Sequence, residues 1–342
     1  MNFLQNVSLA GYSTMGLGGP AAYLVEIHSR HEVAEALEWA KAQRMPAIMI
    51  GGGSNIIWGD AGYAGLVMVN KIPGYEVQSE DDPDFYLTIG GGESWDSVVE
   101  RSVAAGLTGI EALSLIPGTA GGTPIQNVGA YGQEISQTLV TVEAFDSQTG
   151  KFMMLDNHDC GFSYRQSRFK GADRGRFFIT ALTLHLTKGN PGPPFYSAVE
   201  QYFKDHGVTE YTPTALRAAV VAIRSSKLPD PAVVHNTGSF FGNPIIDGGK
   251  LLALKNRVED LPYWPLNNGG AKLSAAWLIE QAGFKDYYDK ETGMGTWPKQ
   301  PLVFVNHHAK TTADLLAFKQ KVVGAVAAKF DITLQQEPEL LS

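Results

Sequence analysis

The chain has 342 residues, of which 44% are hydrophobic and 18% charged, a composition of a folded protein of two or three domains at roughly 100–200 residues each. Its formal net charge of -8 excludes a general nucleic-acid coat, because phosphate binding needs clustered Lys and Arg, and leaves room for one local basic pocket. A lone cysteine, Cys160, excludes an internal disulfide and a multi-cysteine metal site, and no run reaches the roughly 18 apolar residues of a membrane helix. With no basic, then apolar, leader in MNFLQNVSLAGYS, the expectation is a soluble, cytoplasmic protein without a membrane partner.

In chain order, Ala21–Ile27 reads as a strand. A helix follows over Glu32–Arg44, with Val33, Ala36, Leu37 and Ala40 at helical spacing. Pro46–Ile50 is a buried strand running into Gly51-Gly-Gly-Ser-Asn55, and Leu66–Asn70 is another strand. This order predicts a small α/β unit. Beyond Ile72 come a strand at Phe85–Ile89, a Gly90-Gly-Gly turn and a helix over Trp95–Ala105. Val140–Phe145, Phe152–Leu155 and Phe177–Leu186 predict a largely antiparallel sheet. A helix over Thr214–Ser225 is stopped by Leu228-Pro-Asp-Pro231. The last section predicts a helix over Leu273–Ala282, a strand at Leu302–Asn306, a helix over Thr312–Lys329 and a final strand at Ile332–Gln336.

Common catalytic signatures are missing. There is no G-x-x-x-x-G-K-[ST] loop and no H-E-x-x-H, and the eight histidines show no ligand spacing, so no metal is expected. Gly16-Leu-Gly-Gly-Pro-Ala21 has the form G-x-G-x-x-A, but a strand rather than a helix follows it and Pro20 sits inside it.

Three stretches remain. Gly51-Gly-Gly-Ser-Asn55 follows a buried strand, where successive small residues expose N–H groups able to cradle a pyrophosphate; the same pattern closes ordinary turns. The segment Ile116–Gly132, IPGTAGGTPIQNVGAYG, is too apolar for a solvated loop and suits the edge of a ring system, or else an irregular structural loop. The third is a scatter of reactive types: Tyr164-Arg165, Arg224 with Lys227, Ser239 before Phe240-Phe241, and Glu337 and Glu339. Each alone also reads as surface pair, turn cap or solvated tail.

Taken together and in order, GGGSN at 51–55, IPGTAGGTPIQNVGAYG at 116–132, GFSYRQSRFK at 161–170, KLPDP at 227–231, GSFFGNP at 238–244 and EPE at 337–339 resemble the UDP-N-acetylenolpyruvoylglucosamine reductases. These flavoenzymes reduce enolpyruvyl-UDP-N-acetylglucosamine to UDP-N-acetylmuramate for peptidoglycan. The resemblance implies an α+β chain with a FAD-binding fold of the vanillyl-alcohol-oxidase type. Two α/β subdomains, 1–70 (to which 331–342 returns) and 71–228, would grip FAD, and 229–330 would bind substrate. It implies non-covalent FAD, NADPH as co-substrate and a UDP-sugar substrate; a monomer is the default state.

The resemblance also implies roles. Ser239 protonates the substrate carbon beside the carboxylate, and Arg165 and Glu339 stabilise the enol-like intermediate. Tyr164, Lys227, Asn243, Gln300, Arg224 and Tyr196 contact the substrate, the last on the loop of the family type that carries such a tyrosine. Gly51, Gly52, Gly53, Ser54 and Asn55, with Pro117, Gly118, Thr119, Gly121, Gly122, Thr123, Gln126, Asn127, Gly129, Ala130 and Tyr131, form the FAD site. Trp297-Pro298 departs from the His or Ser that relatives often carry there. The competing expectations are another FAD oxidase or dehydrogenase of the same fold, and a non-catalytic sugar-nucleotide-binding protein.

Overall fold

A helix that carries the chain back lets neighbouring strands run parallel, and the first part of the chain is built this way. In the computed structural model, which describes residues 1–81 and 83–342, strands Pro20–Ile27 and Ala47–Ile50 flank Tyr63–Asn70 in parallel. Helix Arg30–Ala42 connects the first two; Ser29 caps it by accepting from the Glu32 N–H at 3.3 Å, and Val33, Ala36 and Ala40 face the core. Leu4–Ser8 adds a fourth strand that the sequence pattern had not marked.

The antiparallel sheet is the one the alternation predicts. It has six strands, with Leu139–Asp146 between Lys151–Asp156 and Phe177–Lys188, then Asp84–Gly90 and Tyr75–Asp81, and the short Leu107–Thr108 pairing with the end of Phe177–Lys188. Helix Trp95–Ala104 buries Trp95, Val98, Val99 and Val103 in the same cluster as Leu87, Ile89, Leu182 and Leu184. Helix Pro213–Lys227 packs with Ser197–Asp205 through Leu216, Val220, Val199 and Phe203.

The chain divides into two compact units. One comprises Met1–Val7, Ala21–Gly53 and Tyr63–Ser226; the other Ser8–Pro20, Ser54–Gly62 and Lys227–Ser342. In the second, Asn236–Ser239, Gln300–Asn306, Met294–Trp297 and Tyr288–Asp289 form a four-stranded sheet. Helix Thr312–Phe330 covers it, with Thr311 and Asp314 in a reciprocal capping box and Phe318, Val322 and Val326 buried.

Two expected elements are corrected. Leu273 ends a strand, Ala271–Leu273, and the helix runs Ala275–Gln281, because Ser274 caps it by accepting from the Trp277 N–H at 3.2 Å. Ile332–Gln336 is not a strand; the final strand is Glu339–Leu341, parallel to Ile56–Trp58. Ile332 and Leu334 alternate because they are buried in the core, not because they sit in a ladder.

Candidate active site

In the first unit, three glycine turns close on one another. A β-carbon on Gly51 would lie 2.1 Å from Thr119 Oγ1, and one on Gly52 2.9 Å from Gly118 Cα, so nothing larger than hydrogen fits between the segments. The 90–92 turn joins them: the Gly121 N–H donates to Gly91 O at 2.9 Å, the Ala120 N–H to Glu93 O at 2.9 Å and the Trp95 N–H to Gly118 O at 3.1 Å. Thr119 Oγ1 is buried with no hydrogen-bond partner among the described residues. A cradle of bare backbone with an orphaned hydroxyl fits a bound pyrophosphate or flavin edge. Within it Ala120–Gly122 makes a 3-10 turn, Thr123 Oγ1 donates to Ala120 O at 2.7 Å, and Gln126 accepts from Lys170 Nζ at 3.3 Å.

Asn127 ties the glycine-rich loop together. It is 1% exposed with φ +48°, and its Nδ2 donates to Glu134 Oε2 at 2.8 Å and Ser163 O at 3.2 Å while Oδ1 accepts from the Ser136 N–H at 3.1 Å. Its side chain is therefore a brace, and what it can offer a cofactor is its backbone. Ser163 and Gln166 exchange two backbone bonds of 3.1 Å, which places Tyr164-Arg165 at the tip of a two-residue turn. Arg165, at φ +57°, donates from Nη2 to Gly129 O at 2.7 Å and lies 5.1 Å from the Tyr164 ring centre. The guanidinium is thus fixed to the glycine-rich loop. Asn127→Ala removes three partly buried side-chain bonds from that loop and is expected to weaken FAD retention by about tenfold or more, since net bonds contribute about 1 kcal/mol each; flavin release measured by fluorescence checks it.

Past Asn127, Gly129–Ala130 and Gln133–Glu134 form a hairpin. Both loop residues, Tyr131 (φ +49°) and Gly132 (φ +89°), are left-handed, the geometry such two-residue turns require. Tyr131 packs edge-on against Tyr196 at 5.5 Å, the residue preceding helix Ser197–Asp205. Together with Gln133 and the Pro191–Phe195 segment they line a cavity of about 140 Å³. Burial raises the Tyr131 hydroxyl; the positive charge of Arg224 opposes that and Tyr196 adds to it.

Arg224, in the last turn of helix Pro213–Lys227, carries a buried Nε with no partner among the described residues. Burial pushes its guanidinium below the ordinary value, against the pull of Tyr131 and Asp96. Asp96 is already engaged: it accepts from Arg217 at 2.7 and 3.1 Å and from the Leu115 N–H at 2.5 Å. Burial would raise the Asp96 carboxyl, but those bonds and Arg224 hold it below the carboxylate range. Sequence reading missed Asp96 and Arg217; they stand 121 residues apart, and no local pattern joins them.

In the second unit, the GSFF segment is anchored by its phenylalanines. Phe240 stacks on Phe304 at 4.4 Å, and Phe241 meets the same ring edge-on at 5.4 Å. On one side Ser239 pairs with Val303; on the other the Glu337 N–H donates to Phe240 O at 2.9 Å and the Gly242 N–H to Gln335 O at 3.1 Å. The same tail then places Glu339 opposite Ile56, its N–H bonded to Asn55 O at 3.0 Å. The Ser239 hydroxyl has no hydrogen-bond partner among the described residues. Asn243 Oδ1 accepts from the Ala275 N–H at 3.0 Å, which leaves its amide nitrogen for other work. Gln300 begins its strand opposite Trp297, and Lys227 is exposed at its helix end.

Glycine cradle and orphaned hydroxyl fit a flavin nucleotide, and the sequence comparisons put the chain among flavin-binding proteins: residues 21–156 match the FAD binding domain family, and 230–341 the UDP-N-acetylenolpyruvoylglucosamine reductase C-terminal domain. The UDP-N-acetylenolpyruvoylglucosamine reductase of Cupriavidus pinatubonensis is 39% identical over 99% of both chains, and that of Chromobacterium violaceum 37% identical over 100% of this chain and 99% of its own. The crystal structure of UDP-N-acetylenolpyruvylglucosamine reductase from Thermus caldophilus superposes with a TM-score of 0.68 at 22% identity, covering 100% of this chain and 98% of that one. This chain belongs to the UDP-N-acetylenolpyruvoylglucosamine reductase family, and its fold is the α+β fold of that neighbour. No helix is long and apolar enough to cross a membrane among the described residues.

Proposed function

We propose that this protein reduces enolpyruvyl-UDP-N-acetylglucosamine to UDP-N-acetylmuramate, with NADPH as the reductant, in the cytoplasmic synthesis of peptidoglycan precursors. The observation that carries the reading is Ser239: a hydroxyl with no partner among the described residues, on a segment locked between a buried strand and the tail that carries Glu339. A sugar-nucleotide-binding protein without catalysis has no use for such a group.

Non-covalent FAD would be held by the backbone at 51–55 and 117–131, with Thr119 Oγ1 supplying a bond that it otherwise lacks. Bound there, it supplies the hydride taken from NADPH. With a hydride added to the enolpyruvyl methylene, the carbon–carbon π pair would be left on the carbon beside the carboxylate. Arg165, as a cation, and Glu339, as a positioned acid, would stabilise the enol-like state in which charge develops towards that carboxylate. Ser239 Oγ gives its proton to the carbanionic carbon, and solvent restores the hydroxyl. Tyr164, Tyr196, Arg224, Lys227, Asn243 and Gln300 hold the sugar nucleotide. The finer division into FAD subdomains at 1–70 and 71–228, with a substrate domain at 229–330, belongs to the same proposal.

The test is spectroscopic. Purified protein is expected to be yellow, to bleach on anaerobic addition of NADPH, and to regain colour when enolpyruvyl-UDP-N-acetylglucosamine follows. A protein that bleaches and stays reduced would overturn the substrate; one that takes up no FAD would overturn the flavoenzyme reading.

A further inference from the structure

Ser239 does not sit on a regular strand. Asn236 pairs with Val305 and Ser239 with Val303, so Thr237 and Gly238 together face the single residue Phe304. That is a β-bulge, and Gly238 occupies it with φ +69°, in the left-handed region. A bulge adds one residue to one strand, and because side chains alternate with a period of two, it reverses the face on which every later side chain emerges. Whether the Ser239 hydroxyl points to its working side therefore depends on the bulge staying formed.

One side chain braces it. Asn236 is 3% exposed; its Oδ1 accepts from the Gly238 N–H at 2.8 Å and its Nδ2 donates to Val234 O at 2.8 Å. Its own N–H is tied to Thr14 O at 3.0 Å, so the amide is held from both ends. Thr237, the other residue in the bulge with a polar side chain, contributes nothing: its buried Oγ1 has no partner among the described residues. Downstream, Phe240 is pinned by its N–H bond to Leu302 O at 2.8 Å and by its stack on Phe304. Between these two fixed points lies the bulge.

We infer that Asn236 is a positioning residue for the proton-transfer step, holding the bulge that presents the Ser239 hydroxyl. It touches neither substrate nor flavin in this role. The inference rests on Ser239 acting as proton donor to the reduced substrate carbon. Polar braces of this kind set the aim of a reacting group, and a misplacement of about 1 Å costs about a hundredfold in rate.

The experiment separates the two half-reactions. Wild-type holoenzyme is first reduced anaerobically with NADPH, then mixed with enolpyruvyl-UDP-N-acetylglucosamine, and flavin colour is followed through both phases. Wild-type enzyme that is not reoxidised overturns the functional reading, and the inference with it. Given wild-type reoxidation, Asn236→Ala is expected to keep its FAD and its reduction rate while reoxidation slows by about a hundredfold. Asn236→Ser, whose hydroxyl can still take the Gly238 N–H as a serine turn does, is expected to recover much of the loss. If Asn236→Ala does not fold, Asn236→Ser is read alone, with a smaller slowing confined to reoxidation expected. Reoxidation at the wild-type rate in the soluble variant, or an equal fall in both half-reactions, overturns the positioning role.

Discussion

Ser239→Ala is expected to cut product formation by about 10²–10⁴-fold, the range a positioned proton donor contributes, while NADPH still reduces the flavin at its normal rate. Removing the hydroxyl is sterically mild. It has no hydrogen-bond partner to abandon among the described residues, and the backbone of the segment is held by Phe240, Phe241 and the tail rather than by the serine side chain. Folding and cofactor retention should therefore be untouched, and the loss should appear in the second half-reaction alone. Two measurements check it: the rate of flavin bleaching by NADPH, and the rate of colour return with enolpyruvyl-UDP-N-acetylglucosamine in deuterated and ordinary water. Wild-type colour return in the alanine variant would remove Ser239 from the mechanism.

How much of this the sequence reveals depends on whether the signal is local. The strand Phe177–Lys188 is legible because its residues alternate over a long run, and helix Thr312–Phe330 because Thr312 opens it with Asp314 in the first turn. Helix Ser197–Asp205 is not, since its apolar face is little more than Val199 and Phe203 behind a proline-rich run. The tail misleads in the other direction. Ile332, Thr333 and Leu334 have strand-like alternation, yet only isolated bonds at 335–337 connect that stretch to the 240–242 segment, and the ladder forms further on. Site residues divide the same way. Gly51 and Gly52 are visible as a glycine run, although the reason for them, the approach of Gly118 and Thr119, is tertiary. Ser239, Arg165 and Glu339 show in sequence as scattered reactive types, and only the family resemblance gives them roles; no spacing joins them. Asp96 and Arg217 carry no mark in sequence, because they meet only through folding across 121 residues, and the local bonds of Asn236 to Val234 and Gly238 matter only through the bulge that folding makes there.

Arg224→Met is expected to raise KM for the sugar nucleotide by about thirtyfold or more, without lowering the thermal midpoint. The two halves of that expectation have one cause. Arg224 bears a positive charge with its Nε buried and no hydrogen bond to any described residue. The nearby carboxylate, Asp96, is already occupied by Arg217 and the Leu115 N–H, so Arg224 receives only its field. Burial lowers the guanidinium pKa, which means that the folded protein holds this charge at a cost. Methionine fills similar volume without that cost, so the ligand-free fold should be as stable or more so. An arginine retained for packing alone would not need the charge, whereas an anionic diphosphate would supply the missing partner on binding. Truncating one side of such a desolvated pair costs about 2–5 kcal/mol, and the lower bound corresponds to the stated rise in KM. Thermal unfolding of the flavin-loaded variant and initial rates against sugar-nucleotide concentration decide the matter. A lowered midpoint with unchanged KM would make Arg224 a structural residue and leave the diphosphate to other groups.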